Sequence, residues 1–175
     1  MSQNDEQITK YKELYALSVD VLREEDLRHM NIENKASRYW PVITALFGGF
    51  AYFSEKLIST LFPLNSYYKF YVTTLLIILL TSIVTASYFF VTIQKQQNYQ
   101  TRPVDIEFFD NNELPAIYRT LAEKNSDAVK ANRKINNAKS AKLHWGHILV
   151  ILAFSVLFLL FINHVWNQTN CHLGN

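Results

Sequence analysis

Three long apolar stretches, separated by strongly polar segments, dominate the hydropathy pattern of this chain. They run from about Trp40 to Phe62, from Phe70 to Ile93 and from Trp145 to Val165. Each has roughly the 20 residues that a helix needs to cross a hydrocarbon core about 30 Å thick. The pattern therefore predicts an all-α integral membrane protein with three transmembrane helices, at about 40–62, 70–93 and 145–166.

The polar segments also have helical periodicity. In residues 1–38, apolar side chains recur at three- and four-residue spacing, as in Ile8, Tyr11, Tyr15 and Leu22. A second polar helix is predicted to follow an irregular connector in the segment 94–144, with Pro115 in its first turn. The less polar face of this second helix consists of Ile117, Leu121, Ala128, Ile135 and Ala138. We expect the two amphipathic helices to pack together as a helical stalk, since neither alone buries a substantial core.

The distribution of basic residues predicts the topology. Six Lys and Arg residues precede the first span and nine lie between the second and third spans. The turn 63–69 has only Lys69, and the tail 167–175 has neither Lys nor Arg. Because positive residues are retained on the cytoplasmic side, we expect a multi-pass membrane protein. Its N-terminus would be cytoplasmic, the hairpin 39–93 would cross twice, and the C-terminus would lie on the outer side of the membrane.

Charge composition narrows the choice of partners. The formal net charge is only +2, and acidic residues are interleaved with the basic ones in both polar segments. A nucleic-acid surface would be a stripe of one sign, so we expect no nucleic-acid partner. The basic segments beside the spans instead favour attraction to anionic membrane lipids. Cys171 is the single cysteine of the chain, so no internal disulfide can form.

Glu55 and Lys56 are ionisable residues within the first predicted span. Such residues are rare at membrane depth and commonly face a bundle interior or an aqueous path. At about 1.5 Å per residue from Trp40, Glu55 lies roughly 22 Å along the helix, beyond the midplane. Two interpretations remain open. Lys56 can snorkel to the outer interface with Glu55 hydrated beside it, or both residues can line a pore.

Small and hydroxylated residues in the first two spans are candidates for polar lining or helix contacts. Thr81, Ser82 and Thr85 are pore-lining candidates in the second span. In the first span, Ala45 and Gly49 form a small-x-x-x-small pattern that includes Gly48 and permits close helix approach. The alternative is that glycine is simply common in membrane helices. If these small residues do mediate a close helix contact, the contact can be between two copies of the chain in a homo-oligomer.

No enzymatic motif accompanies these features. The four glycines do not form a phosphate-binding loop, and there is no nucleophile elbow or zinc-binding helix motif. His144 and His147 are three residues apart, but no Cys, Asp or Glu lies near them to complete a metal site. We therefore predict no enzymatic activity, no cofactor and no metal, and we assign the two histidines to the membrane interface.

Two stretches resemble a known family. One is Glu24-Glu25-x-x-Arg28 with Ile32-Glu33-x-Lys35-Ala36-Ser37, directly before the first span. The other is Tyr118-x-x-Leu121 with Asn132-Arg133-Lys134-Ile135-Asn136 and Lys139, before the last span. Both are similar to SLATT-type membrane effectors of bacterial anti-phage defence, although a third span departs from their two-helix pattern. The resemblance implies an effector that oligomerises and permeabilises the inner membrane, alongside a cytoplasmic sensor or signalling-enzyme partner.

The leading hypothesis is thus a membrane-depolarising antiviral effector, opened by a change in stalk packing. The alternative is a non-catalytic scaffolding subunit of an inner-membrane complex, in which the spans only anchor the stalk. A defined-solute transporter is a weaker third hypothesis, since no inverted repeat supports it.

Overall fold

A computed structural model describes residues 3–60, 66–95 and 112–173 of the chain, with side chains for residues 5–56, 67–95 and 112–166. Four helices account for nearly all of this part: α1 (Gln3–Ser37), α2 (Trp40–Thr60), α3 (Ser66–Gln94) and α4 (Leu114–Leu173). The described residues contain no strand. The prediction of an all-helical chain is confirmed.

The helix ends follow local sequence rules. Asp5 and Glu6 in the first turn of α1 and Lys35 in its last turn complement the helix dipole. At the end of α1, the Tyr39 N–H donates to the Ala36 carbonyl at 3.1 Å. Pro41 lies in the first turn of α2, where its missing N–H needs no partner. A new helix therefore begins within three residues of the end of α1.

The chain divides into two compact units. Unit 1 comprises residues 1–33 and 95–140, and unit 2 comprises residues 34–94 and 141–175. Helices α1 and α4 contribute residues to both units.

In unit 1, α1 and α4 are parallel. Ser18 contacts Asn125, Arg28 contacts Asn137 and Glu33 contacts Lys139, so the numbers of the paired residues differ by 106 to 109. Two helices whose contacts keep a nearly constant offset run in the same direction. Leu22 packs with Ala128 and Val129 in a small apolar cluster between them.

Unit 2 combines α2, α3 and the apolar part of α4. Helix α2 packs against α3, and the Trp40 indole N–H donates to Gln94 Oε1 at 3.2 Å. The start of α2 therefore lies beside the end of α3, which makes these helices antiparallel. Helix α2 and the apolar part of α4 are parallel. Tyr39, just before α2, contacts His147 near the start of that apolar part, and Phe53 contacts His164 further along both helices.

Two of the helices are long and apolar enough to cross a membrane, within Tyr67–Gln94 of α3 and Leu114–Trp166 of α4. Their most apolar windows are only 39% and 22% buried within the chain. A core helix of a soluble protein would be mostly buried, so this exposed apolar surface is compatible with a membrane protein. The predicted first span at 40–62 falls on α2, whose described side chains end at Lys56, and it stays a prediction.

Candidate functional site

The interface between α1 and α4 in unit 1 is built largely from polar side chains. On α4, three asparagines and one lysine are at most 1% exposed, namely Asn125, Asn132, Asn136 and Lys139. The positions 125, 132 and 139 are seven residues apart and therefore lie on one helix face. A helix that served only as a membrane anchor would have no need of this arrangement, because buried polar groups lower stability unless they are paired.

Glu25 of α1 is one centre of this interface. The Asn136 side-chain amide donates to Glu25 Oε2 at 3.0 Å and to the Glu25 carbonyl at 2.9 Å. Arg133 Nε donates to Glu25 Oε1 at 3.0 Å, and Arg28 lies 3.7 Å from Oε2. Burial opposes ionisation of this carboxyl, but the hydrogen bonds from Asn136 and Arg133 and the two positive charges outweigh it. The pKa of Glu25 is therefore lowered, and the side chain is anionic at neutral pH.

Glu33 and Lys139 form the second centre. Lys139 Nζ lies 2.6 Å from Glu33 Oε1, and the lysine side chain is 2% exposed whereas that of Glu33 is 33% exposed. His29 connects the two centres, with Nε2 at 3.0 Å from Glu33 Oε1 and Nδ1 at 3.0 Å from Asn136 Oδ1. Glu25 and Glu33 are thus joined through one continuous set of polar contacts.

Asn132 precedes Arg133 on α4 and takes no part in either centre. Its side-chain amide is buried, and neither Nδ2 nor Oδ1 has a hydrogen-bond partner within the described residues. Asn125 donates to Ser18 Oγ at 2.7 Å, while its own Oδ1 is buried without a partner there. Each such buried group costs about 1–3 kcal/mol. These unpaired groups therefore lower the stability of the α1/α4 packing.

In unit 2, three helices meet around Tyr39. Its ring stacks on Phe90 of α3 with centroids 4.7 Å apart, and its hydroxyl lies 2.6 Å from His147 Nδ1 of α4. Gly146 of α4 allows Phe90 of α3 to lie close to the α4 backbone, because a Cβ at position 146 would be only 2.8 Å from Phe90 Cε1. The start of α2, the end of α3 and the start of the apolar part of α4 are therefore at the same end of unit 2.

The pore-lining candidates lie on α2 and α3, and most of them are exposed. Glu55 and Lys56 are exposed on α2, and Thr81 and Thr85 are exposed on one face of α3. Ser82 is buried, but its hydroxyl donates to the Ile78 carbonyl of its own helix at 2.7 Å. Their role in lining a pore stays a prediction.

The helix-packing candidates separate into two groups. Gly49 faces α4, since a Cβ there would lie 3.0 Å from the Leu157 side chain. A Cβ on Gly48 would have no atom within 4 Å, and Ala45 is exposed. The small-residue pattern therefore provides one contact within the chain and leaves its other two positions on the surface of α2.

The polar interface was not anticipated from the sequence. The α4 face predicted to pack consisted of Ile117, Leu121, Ala128, Ile135 and Ala138, of which Ile117 and Ala128 are buried and Ala138 is exposed. The fully buried positions facing α1 are polar instead. The seven-residue spacing of Asn125, Asn132 and Lys139 was the available signal.

Comparisons of the chain with protein-family models, with curated proteins and with solved structures find no match.

Proposed function

We propose that this chain is a membrane effector of a bacterial antiviral defence system that oligomerises and depolarises the inner membrane when it is activated. The proposed topology has three spans, formed by α2, α3 and the apolar part of α4. The N-terminus and the α1/α4 pair of unit 1 are cytoplasmic, and the C-terminus is periplasmic.

The charges around the three-helix end of unit 2 support this topology. Arg38 and Lys142 flank the start of α2 and the start of the apolar part of α4, next to Trp40 and Trp145. No Asp or Glu occurs between Glu33 and Glu55 or after Asp127. Cations and tryptophans without carboxylates are typical of the cytoplasmic membrane interface. All three spans would enter or leave the membrane at this interface.

The observation that carries the effector proposal is the polar interface between α1 and α4. Buried polar groups in a helix seam cost stability, and their best-attested use is to specify one register or to switch between two. Asn132 lacks a partner in the packing described above. A second packing that gives Asn132 a partner would recover this cost, and an activating ligand or partner that binds this packing more tightly would select it.

Helix α4 connects such a change to the membrane. It is uninterrupted from Leu114 to Leu173, so residues 114–140 and the apolar residues that follow belong to one helix. The exposed Glu55, Lys56, Thr81 and Thr85 would then form a polar path only where several copies assemble. The scaffolding alternative requires neither a second packing nor a path.

The decisive experiment for this proposal is induction of the chain in cells loaded with a voltage-sensitive dye. We expect membrane potential to collapse on induction, and Glu55→Ala or Lys56→Leu to slow the collapse by about tenfold at equal protein level, because rings of charge control ion passage. Ser155→Ala, which removes an exposed hydroxyl from α4, serves as the control and should behave like the unmodified chain.

An intact membrane potential at high expression would favour the scaffolding function. Full depolarisation by both charge variants would remove Glu55 and Lys56 from the path and leave the rest of the proposal standing.

A further inference from the structure

An open apolar groove runs between α1 and α4 in unit 1. Its volume is about 360 Å³, and it is lined by Leu14, Leu17 and Val21 of α1 and by Ala122, Ser126 and Val129 of α4. Leu14 is 47% exposed and Leu17 is 61% exposed. Two helices cannot bury these side chains, so the groove has the form of half of a four-helix bundle.

The two rims of the groove have different charge. On α1, Glu13, Asp20 and Glu24 lie three, four or seven residues from Leu17 and therefore on its side of the helix. None of these three carboxylates has an ion pair within the described part of the chain. Lys10, seven residues before Leu17, is a cation on the same side. The three carboxylates outnumber it, so the α1 rim is acidic on balance and available to a cationic partner.

On α4, the corresponding rim contains Arg119 and Lys130, which lie seven and four residues from Ser126. Within the described residues each makes an ion pair along its own helix, Arg119 with Glu123 at 3.0 Å and Lys130 with Asp127 at 3.2 Å. Arg119 also hydrogen-bonds to Tyr11 of α1. The side chains of both pairs are 62% to 77% exposed. Such surface pairs contribute little, so both cations can exchange their partner for a carboxylate of another helix.

We propose that the groove is occupied by the same groove of a second copy of this chain, related by a two-fold axis parallel to the helices. This proposal rests on the membrane topology proposed above, because copies held in one membrane share the same orientation. A two-fold rotation about the membrane normal then places α1 of each copy beside α4 of the other.

The register within one chain makes the charges of two copies match. Contacting residues of α1 and α4 differ by about 107 in number, so Glu13 lies level with residue 120 and Glu24 with residue 131. A rotation about an axis parallel to the helices preserves these levels. Glu13 therefore meets Arg119 of the second copy, and Glu24 meets Lys130. Asp20 lies level with Asp127, which bears the same charge, and within one turn of Lys130, so it adds little to the match, which depends on Glu13 and Glu24.

The position of the second copy is tested by cross-linking of two differently tagged chains, both carrying Cys171→Ser. One chain carries Leu17→Cys and the other carries Ser126→Cys. We expect oxidation to yield a product that contains both tags. Ala16→Cys, an exposed neighbour of Leu17 that does not line the groove, is the matched control and should give at least about tenfold less product.

The charge pairing is tested on the same cross-link. Glu24→Lys should reduce the product about tenfold, because attraction becomes repulsion at two symmetric contacts. Glu24→Lys combined with Lys130→Glu, in both chains, should restore it. Asp26→Lys makes the same charge change away from the groove and should leave the product unchanged.

Equal cross-linking at Ala16 and Leu17, cross-linking of Leu17 only to a protein of another mass, or failure of the double reversal would overturn the paired groove. These readouts require membranes containing the full chain but no depolarisation. Intact cross-linking without depolarisation would therefore support the dimer and reject the effector function. Depolarisation without cross-linking would reject the dimer and leave the effector function in place.

Discussion

Glu33→Ala is expected to lower the free energy of unfolding of the α1/α4 pair by about 3 kcal/mol, because it removes one partner of a buried charge pair. Lys139, whose side chain is 2% exposed, would lose the carboxylate that lies 2.6 Å from its ammonium group. His29 would lose the same carboxylate. The measurement is urea unfolding of the detergent-solubilised full chain, followed by circular dichroism at 222 nm.

Substitution of the other member of the pair, Lys139, should lower the free energy of unfolding much less. Lys139→Met keeps the length of the side chain and removes the buried charge, while Glu33 is 33% exposed and can be hydrated. We expect a change within about 1 kcal/mol, because the carboxylate that loses its partner is not left buried without water. Glu123→Ala, which breaks the exposed pair with Arg119, should change stability by less than about 0.5 kcal/mol. Equal losses for Glu33→Ala and Lys139→Met would contradict burial of the lysine.

Gly146→Val is expected to destabilise unit 2 by roughly 2 kcal/mol more than Gly48→Val. A Cβ at position 146 would lie 2.8 Å from Phe90 Cε1 and 2.9 Å from Cζ, whereas position 48 has no atom within 4 Å. Phe90 cannot retreat readily, since it is fully buried and stacked on Tyr39. Helices α3 and α4 must therefore separate to accept the valine.

Because each variant replaces a glycine by valine within a helix, the intrinsic helix preference of valine contributes equally to both and cancels in the comparison. Thermal unfolding in detergent, followed by tryptophan fluorescence, is the suitable measurement because Trp145 adjoins Gly146 and Trp40 hydrogen-bonds to Gln94 at the same end of unit 2. If the two variants unfold at the same temperature, Gly146 is not the close contact between α3 and α4.

Helix positions were predictable from this sequence because apolar periodicity and proline placement act locally. The predicted N-terminal helix of residues 5–38 corresponds to α1 at Gln3–Ser37, and Pro115 does lie in the first turn of α4. The direction of packing was not predictable. Whether Gly49 contacts a helix of its own chain or of another depends on tertiary structure, which places Leu157 against it.

The polar interface was missed for a related reason. Periodicity assigns Asn132, Asn136 and Lys139 to the solvent side, because isolated polar residues are usually exposed. The polar partners of Asn136 and Lys139 are Glu25 and Glu33, which lie more than 100 residues earlier in the chain. Only the parallel pairing of α1 with α4 brings these groups together.

The account depends most on the two polar helices lying on one side of a membrane and the C-terminal tail on the other. Labelling with a membrane-impermeant maleimide tests this directly in intact spheroplasts. We expect the native Cys171 to be labelled without permeabilisation, and Ala16→Cys, an exposed position of α1 outside the groove, to be labelled only after permeabilisation in a Cys171→Ser background. Labelling of both positions under the same condition would contradict the three-span topology and, with it, the proposed effector.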